Sequence, residues 1–100
     1  MEIVVQCIED CPNRELALAR LREALTQLGT QGADVRCVEV RDADDDDARG
    51  FRGSPTMLID GRDPFPGEDA PATLSCRRYV TEHGAEGAPS VHQLVEALGG

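Results

Sequence analysis

The chain has 100 residues, 40% of them hydrophobic and 29% charged, which fits one globular domain and excludes a disordered polymer. Ten basic against 19 acidic residues leave a net charge of −9, an unfavourable balance for nucleic acid or anionic lipid, which are held by clustered Lys and Arg. Only 3% of residues are aromatic, so the core must be aliphatic, and no apolar run approaches the roughly 20 residues of a membrane span.

Ile3-Val4-Val5-Gln6-Cys7-Ile8 is short, β-branched and nearly all apolar, which predicts a strand buried on both faces inside a parallel sheet. Glu9-Asp10-Cys11-Pro12-Asn13 then predicts a turn into a helix, with Cys11 at the capping position and Pro12 at the first helical position, where a missing N–H costs nothing. From Asn13 to Leu28 the residues Leu18, Leu21, Leu25 and Leu28, with Ala17 and Ala24 beside them, form one helical stripe. Gly29 and Gly32 bracket its exit. Val35 to Val40 predicts a second strand, more polar than the first and so nearer an edge. Asp42 to Arg49 predicts a short helix, acidic at its start and stopped by Gly50. Its Asp44-Asp45-Asp46-Asp47 run reads as a solvated helix start and not as a metal site, since contiguous Asp residues on a helix point in different directions.

Gly53-Ser54-Pro55 introduces a third strand, Thr56 to Ile59, which Asp60-Gly61 ends. Gly61 to Thr73 holds three prolines and little periodicity, predicting a long loop. Leu74 to Val80 is a candidate fourth strand, and Gly84 to Pro89 reads as another loop. Ser90-Val91-His92-Gln93 is a capping box, and Val91, Leu94, Val95 and Leu98 give a final amphipathic helix. The order β-α-β-α-β-(β)-α has no internal repeat and no linker, so the expectation is a single α/β domain over residues 1–100, with helices flanking a central mixed sheet.

The chemistry is expected at the cysteines. The opening residues carry no basic stretch ahead of an apolar one, so the protein is expected to be soluble and cytoplasmic, with reduced thiols. Cys7, Cys11, Cys37 and Cys76 contain no C-x-x-C, and His83 and His92 lack zinc-ligand spacing. Cys11 stands out, because a helix N-terminus carries unpaired N–H groups and about half a positive charge, which favour the nucleophilic thiolate. Arg14 adds a local cation, while Glu9 and Asp10 oppose it. Cys7 and Cys37 read as small core residues. Cys76 lies beside Arg77 and Arg78, a basic pair suited to an anionic group, and approaches Cys11 if its segment packs on the Pro55 loop. Pro55 precedes a strand, where both an ordinary trans turn and a cis bond, which costs only about 0.5–1 kcal/mol more, fit the sequence.

On these residues the chain resembles the thioredoxin-like superfamily, most closely its glutaredoxin-like and small thioredoxin-domain branches. The resemblance rests on the strand Ile3 to Ile8, on Cys11-Pro12-Asn13-Arg14, and on Gly53-Ser54-Pro55-Thr56 followed by Met57-Leu58-Ile59-Asp60-Gly61. It implies that Cys11 attacks disulfides, with a cis proline facing it. It implies also that Pro12, Arg14, Ser54, Pro55 and Thr56 line the substrate. Arg14 stands where the family places its second, resolving Cys. The implied scheme is therefore monothiol: Cys11 forms a mixed disulfide that glutathione, Cys7 or Cys76 resolves. The substrate would be a thiol or disulfide, small or protein-borne, with glutathione as co-substrate and no other cofactor.

Phe51-Arg52-Gly53-Ser54-Pro55-Thr56 and Leu74-Ser75-Cys76-Arg77 are also similar to small bacterial proteins described as alkylmercury lyases. Three readings follow: a monothiol oxidoreductase, a thiolate binder of soft metal or organomercurial using Cys11 with Cys7 or Cys76, and a redox-inactive thioredoxin-like binding module. Fold alone does not choose among them.

Overall fold

A computed structural model of the chain describes residues 1–29, 33–42, 46–65 and 77–99. The first strand, β1, runs Glu2–Cys7 and is the middle of a three-stranded sheet ordered β2-β1-β3. β2 (Asp34–Glu39) lies parallel to it, with Ile3 opposite Val35, Val5 opposite Cys37 and Cys7 opposite Glu39. β3 (Thr56–Ile59) lies antiparallel on the other side, with Val5 opposite Met57 and Gln6 opposite Thr56. The sheet is mixed, and the parallel pair needs a crossover, which helix α1 (Arg14–Leu28) supplies.

The apolar pattern of β1 dictates its central place. Ile3, Val5 and Cys7 point into the main core with Ala17, Leu21 and Ala24 of α1. On the opposite face a smaller cluster of Val40, Ala48 and Phe51 takes in Ile8, and buried Gln6 donates from Nε2 to the Arg49 carbonyl at 2.8 Å. The strand is thus covered on both sides, as its near-continuous apolar run predicts. β2 is an edge strand, exposed along most of its length, with Val35 41% exposed.

Helix α1 follows the predicted stripe. Leu18, Leu25 and Leu28 pack partly buried around the fully buried set, and Gly29 closes the helix in the left-handed conformation at φ 66°. At that angle a side chain is strained, and glycine is not. The start differs from expectation. Asn13, not Cys11, is the cap residue, and Pro12 occupies the preceding turn and not the first helical position. Arg14 N, at the first turn of the helix, donates to the Cys11 carbonyl at 3.3 Å.

The helix expected over Asp42 to Arg49 is, among the described residues, a single 3-10 turn at Asp46–Ala48; Asp44 and Asp45 lie outside them. Asp60-Gly61 makes a tight hairpin turn after β3. Both residues have positive φ (50° and 84°), and Ile59 and Arg62 exchange backbone hydrogen bonds at 2.7 and 3.1 Å across it. A two-residue turn with positive φ at both positions matches the twist of paired strands, which is why Asp-Gly serves here.

The C-terminal third is a correction. Tyr79–Thr81 forms β4, and Gly84–Glu86, expected as loop, forms β5 against it. The pair is a separate two-stranded sheet and does not extend the central one. Arg20 of α1 clasps this region, donating to the Ala88 and Pro89 carbonyls at 3.2 and 3.3 Å and to Glu86 Oε1 at 2.8 Å. The Arg20 contact, then the Thr81 hydroxyl, hold the Glu86 carboxyl below the usual carboxylate range. Helix α2 (Val91–Ala97) begins with the predicted capping box: Gln93 N donates to Ser90 Oγ at 3.1 Å and Ser90 N to Gln93 Oε1 at 3.0 Å. Among the described residues no helix is long and apolar enough to cross a membrane.

Ser90→Ala removes the cap of α2 together with the hydrogen bond that Ser90 Oγ donates to Glu82 Oε1 at 2.6 Å. The expected loss is about 1–2 kcal/mol, read as a lower urea midpoint with an unchanged slope.

Candidate functional site

β1 ends at Cys7, where its ladder with β2 closes by Val40 N donating to the Cys7 carbonyl at 2.7 Å. The chain then turns sharply. Asp10 takes φ 55°, a conformation Asp tolerates better than most residues, and Cys11 N donates back to the Ile8 carbonyl at 3.3 Å. This turn sets Cys11 close under the sheet end. The residue is only 9% exposed and belongs to the main core. The expected accessible sulfur at a helix cap is therefore corrected on two counts: the thiol is mostly covered, and it lies two residues ahead of the cap. The physical reason is the Asp10 turn, which folds Cys11 inward before Pro12 and Asn13 lead out to the helix.

The Ser54–Pro55 peptide bond is cis. The loop that carries it is anchored on several sides. Ser54 Oγ accepts from Ile8 N at 3.0 Å, and the Ser54 carbonyl accepts from Arg77 N at 2.8 Å. The Pro55 carbonyl accepts from the Tyr79 hydroxyl in a short hydrogen bond. Thr56 Oγ1 donates to the Gly53 carbonyl at 2.5 Å and accepts from Arg52 N at 3.1 Å. Ser54, Pro55 and Thr56 are fully buried. The hydroxyls of Ser54 and Thr56 are thus engaged within the protein, and all three side chains are covered. Pro12 and Arg14 are exposed, as a substrate-lining role requires.

Arg77 is also corrected. Instead of offering charge to a ligand it is buried and donates from Nη1 to Asp63 Oδ2 at 2.6 Å and from Nη2 to the Phe65 carbonyl at 3.2 Å. Its guanidinium lies 4.4 Å from the centre of the Tyr79 ring, and Phe65 meets the same ring edge-on at 5.6 Å. Arg78 is exposed. Burial pushes the Tyr79 hydroxyl well above its ordinary range, which Arg77 opposes, and Asp63, Cys7 and Cys11 add to the rise. Cys76 lies outside the described residues.

What the structure does bring together is a second thiol pair. An open cleft of about 190 Å³ lies between the end of β1, the turn and β2. Cys7 and Cys37 line it together with Glu9, Asp10, Arg14 and Glu39. Cys37, expected in the core, is exposed because β2 is the sheet edge. Cys7 is 2% exposed, and its thiol has Cys37, Cys11 and Ser54 as neighbours. Burial first, then the neighbouring Cys37 and Cys11, push the Cys7 thiol up to about 12; Ser54 opposes the rise. Sequence reading missed this pairing because it needs the register of β1 against β2. The signal available was the shared alternation of Val5, Cys7, Val35 and Cys37.

Comparison with known proteins gives no match, whether to a family model, to a curated protein or to a solved structure. The chemistry therefore rests on the residues themselves.

A raised thiol stabilises the fold below its unfolded-state value and loses that contribution as pH climbs toward the folded value. For Cys7 the window runs from about 9 to about 12. Tyr79 acts in the same direction at the alkaline end. Unfolding free energy should fall steeply above pH 9 in the wild type and less steeply in Cys7→Ala, as followed by urea denaturation at stepped pH. Equal slopes would show that Cys7 does not carry the linkage.

Proposed function

We propose that the chain is a thioredoxin-like thiol–disulfide oxidoreductase of monothiol type, acting in the cytoplasm with Cys11 as the attacking thiol. The reading is supported by the order of elements, with β2 parallel and β3 antiparallel to a central β1 and a helix following each of β1 and the terminal hairpin. One observation carries it. Ile8 joins the two halves of the proposed centre, since its N–H is held by Ser54 Oγ at 3.0 Å and its carbonyl accepts from Cys11 N at 3.3 Å. The cysteine turn and the Pro55 loop are thereby tied to the same residue at the end of β1.

In the proposed reaction the Cys11 thiolate attacks one sulfur of a glutathione mixed disulfide. A Cys11–glutathione bond forms, the original disulfide bond breaks, and the substrate leaves as a thiolate that takes up a proton. A second glutathione thiolate then attacks the bound glutathione, giving glutathione disulfide and restoring Cys11. Arg14, in the place of a resolving Cys, precludes an internal dithiol step at this corner. Cys7, with its proton held to about 12, is a poor alternative resolver at neutral pH, since only the thiolate attacks. Pro12 and Arg14 are exposed near the thiol in sequence, as are Glu9 and Asp10, and would meet the incoming substrate.

The slight exposure of Cys11 and the burial of Ser54, Pro55 and Thr56 favour a second reading, a redox-inactive thioredoxin-like binding module. Turnover of a glutathionylated peptide with glutathione and glutathione reductase separates the two. The oxidoreductase reading expects activity that Cys11→Ser reduces to the uncatalysed background and that Cys37→Ser preserves. A wild type no faster than glutathione alone assigns the module. Bulk alkylation rates do not decide the matter, because exposed Cys37 labels whatever Cys11 does.

A further inference from the structure

We propose that Cys7 and Cys37 form a two-thiolate site for a soft monovalent d10 cation of the copper(I) and silver(I) type, separate from the Cys11 centre and independent of its proposed role. The register sets the pair. Cys37 stands opposite Val5, and Cys7 lies two residues further along the same face of β1. Both residues line one open cleft, Cys37 from the exposed strand edge and Cys7 from the covered end of β1.

A disulfide fits this register poorly. One strand spacing across and two residues along separate the Cα atoms by roughly 8 Å. That exceeds the ~7 Å beyond which a disulfide needs backbone movement. A bridging ion relaxes the demand, because two metal–sulfur bonds of roughly 2.3 Å span about 4.6 Å between sulfurs, with no change in the strands. Exposed Cys37 can adjust its rotamer to that span, while Cys7 is fixed by the core.

The donor set selects the cation. Among the described residues no group of three or more His, Cys, Asp and Glu is placed to hold a metal, so a tetrahedral zinc site is not built here. A pair of thiolates suits a soft ion that accepts two ligands. The charge around the cleft agrees. Glu9, Asp10 and Glu39 face it against Arg14, with Arg41 paired to Glu39 at 3.0 Å outside the lining, so a cation is favoured over an anion. On binding, each S–H bond that breaks sends its proton to solvent, and each sulfur keeps its electron pair for the new sulfur–metal bond. No electron is transferred, and two thiolates with one monovalent ion carry a single negative charge.

Silver(I) alone is the probe, since it needs no reductant. The titration uses the full chain as Cys11→Ser/Cys76→Ser, so that neither thiol of the Cys11 reading contributes, and far-UV circular dichroism confirms the fold of each variant. The expected result is one silver ion per chain by calorimetry. Adding Cys37→Ser, a substitution at an exposed position, should weaken binding by roughly a hundredfold or more, because the second thiol no longer closes the site intramolecularly. Binding of two ions per chain, or an affinity unchanged by Cys37→Ser, would overturn the site. Failure here leaves the turnover assay of Cys11 untouched, and loss of turnover leaves this titration untouched.

Discussion

The structure depends on how the chain leaves β1. A central strand must hand on its last backbone groups at a buried sheet end, where an unpaired N–H costs about 1–3 kcal/mol. Cys7 settles its carbonyl on Val40 N, and Ile8 N is taken by the hydroxyl of Ser54, a residue with no exposed surface. A serine side chain from 46 positions away thus completes the strand's hydrogen bonding. That contact ties the Ser54–Pro55 loop to the sheet end, beside the turn that carries Cys11.

The far side of the same loop is held by a different kind of chemistry. Arg77 N and the Tyr79 hydroxyl hold the Ser54 and Pro55 carbonyls, and these two residues belong to a cluster with Asp63 and Phe65. Burying the Arg77–Asp63 pair is not obviously stabilising, because desolvation offsets most of the Coulomb attraction. The guanidinium is matched to a carboxylate, a carbonyl and an aromatic face at once. A hydrogen-bonded loop on one side and an ion pair on the other leave Ser54, Pro55 and Thr56 internal. A molecule approaching this end of the sheet then meets groups on the rim, among them Pro12, Arg14 and the cleft beside β2.

The parts of this arrangement governed by local periodicity were legible in the sequence. The leucine and alanine stripe of α1, the Ser90 capping box, the β-branched run of β1 and the limits of β3 all appear where pattern and capping chemistry place them. The parts set by tertiary pairing were not. Gly84-Ala85-Glu86 has no strand propensity of its own and is a strand only because Tyr79 to Thr81 pairs with it. Pro12 marks a helix start correctly to within two residues, but the positive φ of Asp10 shifts the cap to Asn13 and turns Cys11 inward. Cys37 alternates like a core residue, and the polarity that places its strand near an edge does not show which of its side chains is left exposed.

The edge is what gives the cysteines different environments. Beyond β2 no further strand pairs among the described residues, so its backbone and side chains meet solvent on that side. An open edge invites another chain to add a strand, and charged residues along it discourage this. Asp34, Arg36 and Glu39 supply those charges. Cys37 on that edge is exposed, one strand away from a Cys7 that burial in the core keeps protonated. Two thiols of opposite exposure on one face therefore follow from a single topological fact, that the crossover helix returns the chain to the outside of β1. A further strand beyond β2 would have buried Cys37 beside Cys7 and closed the cleft between them.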